Sequence, residues 1–495
     1  MKNENSEIMQ SEFFTSRWGL ILSTLGIAVG TGNIWRFSRI VAQNGGGSFL
    51  IPWVIFLLIW SVPLIISEFA LGKFTRKAPI GAFVKTAGSK FAWMGAFVAF
   101  VSTAIMFYYS VVTGWCIKYL FSSLSGNLFI TSNHLQYWNE FSSGLWPIYF
   151  HFFAMIIGST VIYKGVVKGI EKVNKILVSM LVVILLILFV RAITLPNALE
   201  GIKYFFTPKL EYLINYKVWL NALTQNAWDT GAGWGLILTY ATYMKKKEDI
   251  ALNASLIGFG NNSISLLAGI IIFSTVFALS SNDALQQISL SGPANTGLTF
   301  IVLPQLFMKM SNSFTVNIAF SSLFFLALSF AALTSLISMI ELAVKTLIDF
   351  GFQRKTATII ICFFGFILGI PSALNINFLI NQDWVWGVGL ILSGAFISFA
   401  VNKYGTDKFR KEIINATGND INVGRWYFWI MKYIVPILAI LLLSWWLISS
   451  TSWDKEWWNP FHRENLGTSL FQWLMVIIIF LVVNKKIANK ISVKI

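Results

Sequence analysis

The sequence predicts an all-α polytopic membrane protein with about twelve transmembrane helices. Of its 495 residues, 56% are hydrophobic and only 12% are charged, which is too little charge to cover the surface of a soluble protein of this length. Runs of about 20 apolar residues recur along the chain, and each could cross a hydrocarbon core of roughly 30 Å as a helix. Glycines interrupt two of these runs, a pattern typical of transporters built from inverted repeats.

The predicted spans form two series of five and a final pair. The first series lies at about 18–37, 49–72, 91–121, 146–163 and 173–193, and the second at about 218–243, 250–279, 314–347, 356–371 and 384–402. The final pair lies at about 427–448 and 467–484. Turn-forming residues separate these elements, notably glycines 45–47 after the first span and Pro196 and Pro208 between the two series.

These spans divide the chain into seven predicted segments. They are a cytoplasmic arm (1–17), a first five-helix repeat (18–195), an extracellular connection (196–217), an inverted second repeat (218–403), a cytoplasmic loop (404–426), helices 11 and 12 (427–487) and a cytoplasmic tail (488–495). Between the seventh and eighth spans, residues 280–311 predict a hairpin lid over the outer mouth, with an amphipathic surface loop as the alternative.

Basic residues cluster on alternate loops, which predicts the orientation. Lys and Arg concentrate near 73–90, 164–175, 245–247, 403–411 and 485–494, whereas loops 121–147 and 373–383 are poor in them. Because cytoplasmic loops carry this excess, both termini should be cytoplasmic and the protein should lie in the cell membrane. The net charge of +16 therefore reflects membrane topology, and we expect a lipid bilayer rather than nucleic acid as partner.

The first interruption has the sequence GIAVGTGNIWR, from Gly26 to Arg36, and the second has QNAWDTGAGWG, from Gln225 to Gly235. Each glycine in a helix interior costs about 1 kcal/mol relative to alanine, and a broken helix in lipid leaves backbone groups without partners. We interpret both stretches as unwound segments. Their free carbonyls would hold a cation, and their free amides would hold a substrate.

Asp229 places an ionisable group at mid-membrane beside the second interruption. Inserting an ionisable side chain at mid-membrane costs at least about 2.5 kcal/mol. A bound cation would offset this cost, because opposite charges about 4 Å apart attract by about 4 kcal/mol at a dielectric constant of 20. The alternative is a protonated Asp that is hydrogen-bonded within the bundle. Asn33 and Asn261 are neutral oxygen donors at similar depth; either alone is typical of interhelical hydrogen bonding, but with Asp229 they indicate an alkali-cation site.

Other buried polar residues have less specific interpretations. Thr334 and Ser335 alone are typical of small-residue helix packing. Glu68 and Glu341 are interpreted as hydrogen-bonding supports for the broken segments, with a proton relay as the alternative. The sequence contains no nucleotide-binding loop and no paired nucleophile and base, so we expect neither ATP-driven transport nor an enzyme.

The motifs around these residues resemble those of the neurotransmitter:sodium symporter family, and in particular its bacterial amino-acid transporters. The match runs from about residue 14 to 487. Its most specific parts are Gly30-x-Gly32-Asn33-x-Trp35-Arg36-Phe37, the run NGGGSFLIP at 44–52, and Gly231-x-Gly233-x-Gly235. The resemblance implies the fold of the bacterial leucine transporter, with two inverted five-helix repeats, discontinuous helices 1 and 6, and two extra helices.

The resemblance also implies two sodium sites and one substrate site. The first sodium site would comprise the substrate carboxylate, the Ala28 carbonyl, Asn33, Asp229 and Asn261. The second would comprise the carbonyls of Gly26, Val29 and Ala331 with the hydroxyls of Thr334 and Ser335. The substrate carboxylate would meet amides around Gly30 to Gly32 and the hydroxyl of Tyr109. The substrate side chain would face Ile27, Ile105, Trp228, Gly231, Trp234 and Met339.

Five positions bear on the transported species. Asp229 stands where the family usually has Ser or Thr. Of the residues that bind chloride in dependent members, Gln225 and Ser265 remain, but Trp53 replaces a Tyr. We predict chloride independence, because the Asp229 carboxylate can balance the cation charge. Gly30 stands where monoamine transporters carry Asp, so the substrate should bring its own carboxylate.

The family's gates are only partly retained. Arg36 and Asp383 match the outer gate, with Tyr109 and Trp228 as the lid beneath it. On the inner side Tyr243 and Asp349 remain, but the arginine that usually pairs with this aspartate is replaced by Ser11.

A second inner feature also departs from the family. Some members unwind the fifth span with a glycine and, ten residues later, a proline. Here Gly169 is present, but Ser179 takes the place of the proline, which puts in doubt the access of water to the second sodium site by that route.

The predicted function is sodium-coupled import of a neutral, hydrophobic or aromatic L-amino acid by alternating access. It would use two Na⁺ ions and no organic cofactor. One alternative is a proton-coupled transporter in which Asp229 carries the proton. The other is a substrate sensor on the same scaffold that does not transport.

Overall fold

The computed structural model of the protein describes residues 13–492, except 132, 281–282, 417–419 and 454. Within this part of the chain the regular structure is entirely helical. Outer and inner denote the sides that the predicted orientation makes extracellular and cytoplasmic.

Eleven membrane spans are recognisable in the described chain by length and composition. Ten are continuous helices: Gly47–Thr75, Ser89–Leu124, Trp146–Tyr163, Val166–Ile193, Ile250–Leu279, Phe314–Asp349, Arg354–Leu374, Ile376–Tyr404, Trp426–Ser450 and Leu466–Ile491. The eleventh is the first span, a pair of helices, Arg17–Ala28 and Gly32–Gln43, bent by 57° relative to each other. The predicted break in the first span is therefore confirmed.

The sixth predicted span is also broken. Helices Tyr216–Asp229 and Leu236–Ala241 flank residues 230–235, which are not helical. Gly231, Gly233 and Gly235 have φ angles of +69°, +88° and +76°. This left-handed conformation is unfavourable for residues that carry a side chain and is accessible to glycine. Each half is too short to cross a membrane alone, and together they occupy the position of the sixth predicted span.

Glu68, from the second span, supports this break. Its carboxylate accepts hydrogen bonds from the backbone N–H groups of Gly233 at 2.6 Å and Leu238 at 3.0 Å. The predicted role of Glu68 is confirmed. A buried carboxylate thus replaces the backbone partners that the unwound segment has lost.

Most residues of both breaks are buried. The third, eighth and tenth spans are the most buried, whereas the eleventh and twelfth are among the least. The fold therefore holds both breaks among other helices, away from lipid. The repeat and segment boundaries stay predictions.

The outer lid, residues 280–311, folds against the outer half of the first span. It contains the helices Ala284–Ile288 and Leu298–Phe307. Arg39 donates a hydrogen bond to Asn295, and Gln43 donates one to the Ser289 carbonyl at 3.0 Å. This agrees with a folded lid rather than a plain surface loop.

Candidate functional site

A cavity of about 350 Å³ lies between the two broken spans and extends to the outer lid. Every residue predicted to contact the substrate lines it: Ile27, Ala28, Gly30, Gly32, Ile105, Tyr109, Trp228, Asp229, Gly231, Trp234 and Met339. The outer part is lined by charged residues and lid residues, including Arg36, Arg39, Asp383, Asn295 and Glu464.

The two breaks approach each other closely. A Cβ at Gly231 would lie 3.2 Å from the Ile27 side chain, and one at Gly32 would lie 3.1 Å from Oδ1 of Asp229. The Asp229 carboxylate therefore reaches from the sixth span to the first, which allows one ligand to touch both.

The backbone of the first break is held by Asn33 and Tyr109. The Gly30 N–H donates to Oδ1 of Asn33 at 2.8 Å. The Thr31 N–H donates weakly to the Tyr109 hydroxyl at 3.4 Å, and the Thr31 hydroxyl lies 3.3 Å from the same oxygen. The expectation of free amides at 30–32 is thus corrected at Gly30 and, more weakly, at Thr31, because side chains already accept hydrogen bonds from both amides.

Asn33, Asp229, Asn261 and Ser265 form a buried polar cluster. Nδ2 of Asn33 lies 3.2 Å from Oδ2 of Asp229, 2.7 Å from Oδ1 of Asn261 and 2.8 Å from the Ser265 hydroxyl. The Ser265 hydroxyl donates to Oδ2 of Asp229 at 3.2 Å. Sequence reasoning included Ser265 only as a remnant of a chloride site.

The Asn261 amide also faces the backbone of both breaks. The terminal atom of the Asn261 amide that contacts Asn33 also lies 3.0 Å from the backbone carbonyl oxygen of Ala28 and 3.2 Å from that of Asp229. The structure therefore brings together all four residues predicted for the first sodium site.

The residues predicted for the second sodium site lie where the first and eighth spans meet. The Thr334 hydroxyl donates to the Ala331 carbonyl at 3.0 Å, and the Ser335 hydroxyl lies 3.5 Å from the Gly26 carbonyl. A Cβ at Gly26 would lie 3.1 Å from Thr334. Val29 follows directly at the break of the first span. Backbone and hydroxyl oxygens thus converge at a buried point.

The two residues of the predicted outer gate are near one another but not paired. The Arg36 guanidinium lies 3.7 Å from the centre of the Trp228 ring, and Asp383 accepts a hydrogen bond from Tyr108 at 3.0 Å. Both are described residues, and no ion pair within 4.0 Å joins them. The two predicted gate residues therefore each contact an aromatic residue instead of each other. Sequence reasoning did not single out Tyr108, because nothing in the apolar run around it indicates an acidic partner.

Glu464, in the connection before the last span, lines the outer end of the cavity. Burial raises the pKa of this carboxyl above its ordinary value, while neighbouring Arg463 opposes the shift. It adds an acidic group near Arg36 and Asp383 that sequence reasoning did not single out.

Tyr243 and Glu341 form an inner network with Arg354. The Tyr243 hydroxyl donates to Glu341, and Arg354 binds Glu341 at 2.7 Å and the Tyr243 hydroxyl at 2.9 Å. The interpretation of Glu341 as a support for the broken segments is wrong. Its buried carboxylate instead pairs with the partly buried Arg354 guanidinium, and a charge-assisted hydrogen bond of this kind is stronger than the one from the Tyr243 hydroxyl.

Asp349 forms a separate inner contact. It pairs with Lys345 at 2.7 Å and accepts the Ala78 N–H at 2.6 Å. These partners satisfy the carboxylate that an arginine usually satisfies in the family. Ser11, the residue at that arginine's position, lies outside the described residues.

The described end of the N-terminal arm is tied to the inner surface by its backbone. Glu171 accepts the Thr15 N–H at 2.8 Å and the Thr15 hydroxyl at 2.6 Å. The Phe14 N–H donates to the Tyr243 carbonyl, and Lys245 donates to the Thr15 carbonyl. The inner side is thus closed by contacts that sequence reasoning missed, although Glu171 stands out as an acid within the basic run 164–175.

The fifth span is helical from Val166 to Ile193. Its first six residues, Val166–Glu171, form a π-helical turn that contains Gly169. Ser179 is exposed on the surface of the bundle. The structure therefore shows no unwinding of this span, as the missing proline suggests.

Comparisons with known proteins agree with this architecture. A profile described as the sodium:neurotransmitter symporter family matches residues 11–144 and 143–489. An uncharacterised sodium-dependent transporter of Methanocaldococcus jannaschii is 31% identical over 456 residues, covering 88% of this chain and 89% of the relative. The sodium-dependent serotonin transporter of Drosophila melanogaster is 29% identical, covering 86% and 75%.

A solved structure shares the fold. The crystal structure of MhsT in complex with L-phenylalanine superposes with a TM-score of 0.77 at 29% identity, covering 87% of this chain and 99% of that chain. The relatives are sodium-dependent transporters rather than enzymes. The broken spans, the buried cluster and these similarities together show that the chain is a sodium-dependent membrane transporter and belongs to the sodium:neurotransmitter symporter family.

Proposed function

We propose that the protein imports a neutral, hydrophobic or aromatic L-amino acid together with sodium by alternating access. The observation that carries this proposal is the meeting of two broken spans at one cavity, with Asp229 reaching both. A zwitterion and a cation that share this point would be bound together, so the binding of one would favour the other.

The donor set suits sodium at the first predicted site. The carbonyl oxygens of Ala28 and Asp229 both lie within 3.2 Å of the Asn261 amide. Hard alkali cations prefer several oxygen ligands. With its oxygen toward the two carbonyl oxygens, the Asn261 amide would complete such a set around a cation; in the opposite orientation its N–H groups donate to both carbonyls. The oxygens near Gly26, Ala331, Thr334 and Ser335 suit a second sodium ion for the same reason.

The lower cavity supports an apolar substrate side chain. Ile27, Ile105 and Met339 line it together with the rings of Trp228 and Trp234. The Trp234 indole is fixed by a hydrogen bond from Nε1 to the Ala227 carbonyl at 3.2 Å. A charged side chain would lose its hydration against these walls without a partner. The L-phenylalanine in the MhsT complex is consistent with this substrate class.

A thermal-shift screen of the twenty amino acids, with sodium or with potassium, tests the proposal. We expect stabilisation by neutral apolar L-amino acids in sodium only, because a ligand that binds the native state raises its melting temperature. Uptake by proteoliposomes under an inward sodium gradient should select the same compounds. Accumulation driven by a pH gradient without sodium would support the proton-coupled alternative, and binding without accumulation would support the sensor.

A further inference from the structure

Ser23, Asn174 and Tyr240 place unpaired polar groups deep in the inner half of the bundle. All three side chains are fully buried. The Ser23 hydroxyl, both polar atoms of the Asn174 amide and the Tyr240 hydroxyl make no hydrogen bond. Buried polar groups in membrane spans usually pair with one another, so an unpaired group of this kind indicates a ligand or water.

Helix geometry places Ser23 and Asn174 at one level. One face of the first span carries Gly19, Ser23 and Gly26. One face of the fifth span carries Glu171, Asn174 and Val178. The ends of the two faces touch: a Cβ at Gly19 would overlap Glu171, and one at Gly26 would lie 3.2 Å from Val178. Ser23 and Asn174 occupy the middle of these faces.

Tyr240 comes from the inner half of the sixth span and lies beside Asn174, in a geometry that makes no hydrogen bond. Two hydroxyls and one amide therefore form a polar layer, defined by Ser23, Asn174 and Tyr240. A rise of 1.5 Å per residue puts this layer roughly 5 Å to the inner side of Gly26, whose carbonyl belongs to the predicted second sodium site.

Glu171 covers the inner end of the layer. Its carboxylate is 2% exposed and binds Lys175 at 2.7 Å in addition to its two hydrogen bonds from Thr15. The Ser16 hydroxyl donates a further hydrogen bond at 3.2 Å. If the arm detached, the carboxylate would lose the donors of Thr15 and Ser16 and would become a free acceptor at the end of the polar layer.

We propose that Ser23, Asn174 and Tyr240 form a transient sodium site, through which the ion of the second sodium site passes to the cytoplasm, with Glu171 and Thr15 as its cover. This rests on the proposed function, because it requires sodium at the second site. Neutral oxygens bind an alkali cation without trapping it. Polar side chains thus provide the route in a fifth span that stays helical from Val166 to Ile193.

Accessibility of Ser23 tests the position of the route. Ser23→Cys in inside-out vesicles should react with a cationic, membrane-impermeant thiol reagent. Sodium should slow the reaction, and adding Thr15→Val, which removes one clamp on Glu171, should accelerate it. The natural chain, whose Cys116 and Cys362 are buried and partly buried, is the control for background labelling. Absence of labelling above this background in every condition would overturn the route.

A matched pair at Asn174 tests the function of the layer. Asn174→Ser keeps an oxygen, whereas Asn174→Ala is of similar size and has none. Sodium-dependent stabilisation and substrate affinity should stay within about twofold of the natural chain in both variants. Sodium-driven uptake by Asn174→Ala should be about tenfold slower than uptake by Asn174→Ser, and a tenfold difference corresponds to 1.4 kcal/mol.

Equal uptake rates in the two Asn174 variants would overturn the transient site. Loss of sodium-dependent stabilisation in Asn174→Ala alone would also overturn it, because Asn174 would then support the second sodium site or the fold. If the natural chain itself shows neither sodium-dependent stabilisation nor uptake, the proposed function fails. That result is distinct from the two results that would overturn the transient site alone.

Discussion

Asp229 is the residue on which ion binding depends in the proposed function. Its carboxylate receives the Ser265 hydroxyl and the Asn33 amide, and its carbonyl lies beside the Asn261 amide. The side chain thus supplies a fixed negative charge, and the backbone supplies an oxygen.

Asp229→Asn should remove this charge while keeping the size of the side chain. We expect sodium affinity, measured as the sodium dependence of the melting temperature, to fall at least about tenfold, because the lost attraction exceeds 1.4 kcal/mol. Asp407→Asn, at an exposed acid that pairs with Lys411, is the matched control and should leave the affinity unchanged. Equal sodium affinity in the Asp229 variant and the natural chain would rule out the role of Asp229.

Chloride should have no effect on uptake. Ser265, which remains from the family's chloride-binding set, already donates to Asp229. In the proposed function, the negative charge of this carboxylate would balance the cation charge that a bound chloride would otherwise balance. Replacing chloride by gluconate at constant sodium should leave the initial rate of uptake by proteoliposomes unchanged, whereas a strict need for chloride would contradict this assignment.

At the scale of the elements, the sixth span depends on a side chain from the second. Glu68 binds two amides of the broken segment. Glu68→Gln should keep one acceptor, and Glu68→Ala should leave both amides unpaired at about 1–3 kcal/mol each. Melting temperatures in detergent should therefore fall in the order natural chain, Gln, Ala. Three equal values would show that water or other groups satisfy these amides.

The same elements show how far sequence reasoning can reach. Asn33, Asp229 and Asn261 could be predicted because polar side chains stand out in apolar spans and glycines mark the breaks. The Thr15 contact with Glu171 could not, since a backbone N–H leaves no sequence signal and its acceptor is 156 residues away. Glu341 was misplaced because a buried acid alone does not show which of several distant groups it meets.

At the scale of the whole molecule, the cavity is open on one side and closed on the other. Arg36 and Asp383 are apart, while Arg354 joins Glu341 to Tyr243 and Glu171 holds Thr15. These contacts agree with an outward-facing arrangement, the state expected before substrate is enclosed.

Closure of the outer gate should protect the cavity from reagents. Val112 lines the cavity, so Val112→Cys should react with an impermeant thiol reagent from outside in sodium alone. Adding substrate should slow this reaction about tenfold as Arg36 and Asp383 pair, a shift of 1.4 kcal/mol between the two states. Leu145→Cys, at an exposed loop position, should react equally in both conditions. Unslowed labelling of Val112→Cys at saturating substrate would contradict gate closure.

The attachment of the outer lid has a consequence for following this protein at work. Arg39 and Gln43 donate hydrogen bonds to the lid residues Asn295 and Ser289. Arg39 and Gln43 lie on the same helix as Arg36. The lid must therefore move with that helix when the helix tilts. An antibody fragment raised against residues 289–297 would then distinguish resting from substrate-loaded molecules on intact cells, without any chemical label in the translocation path.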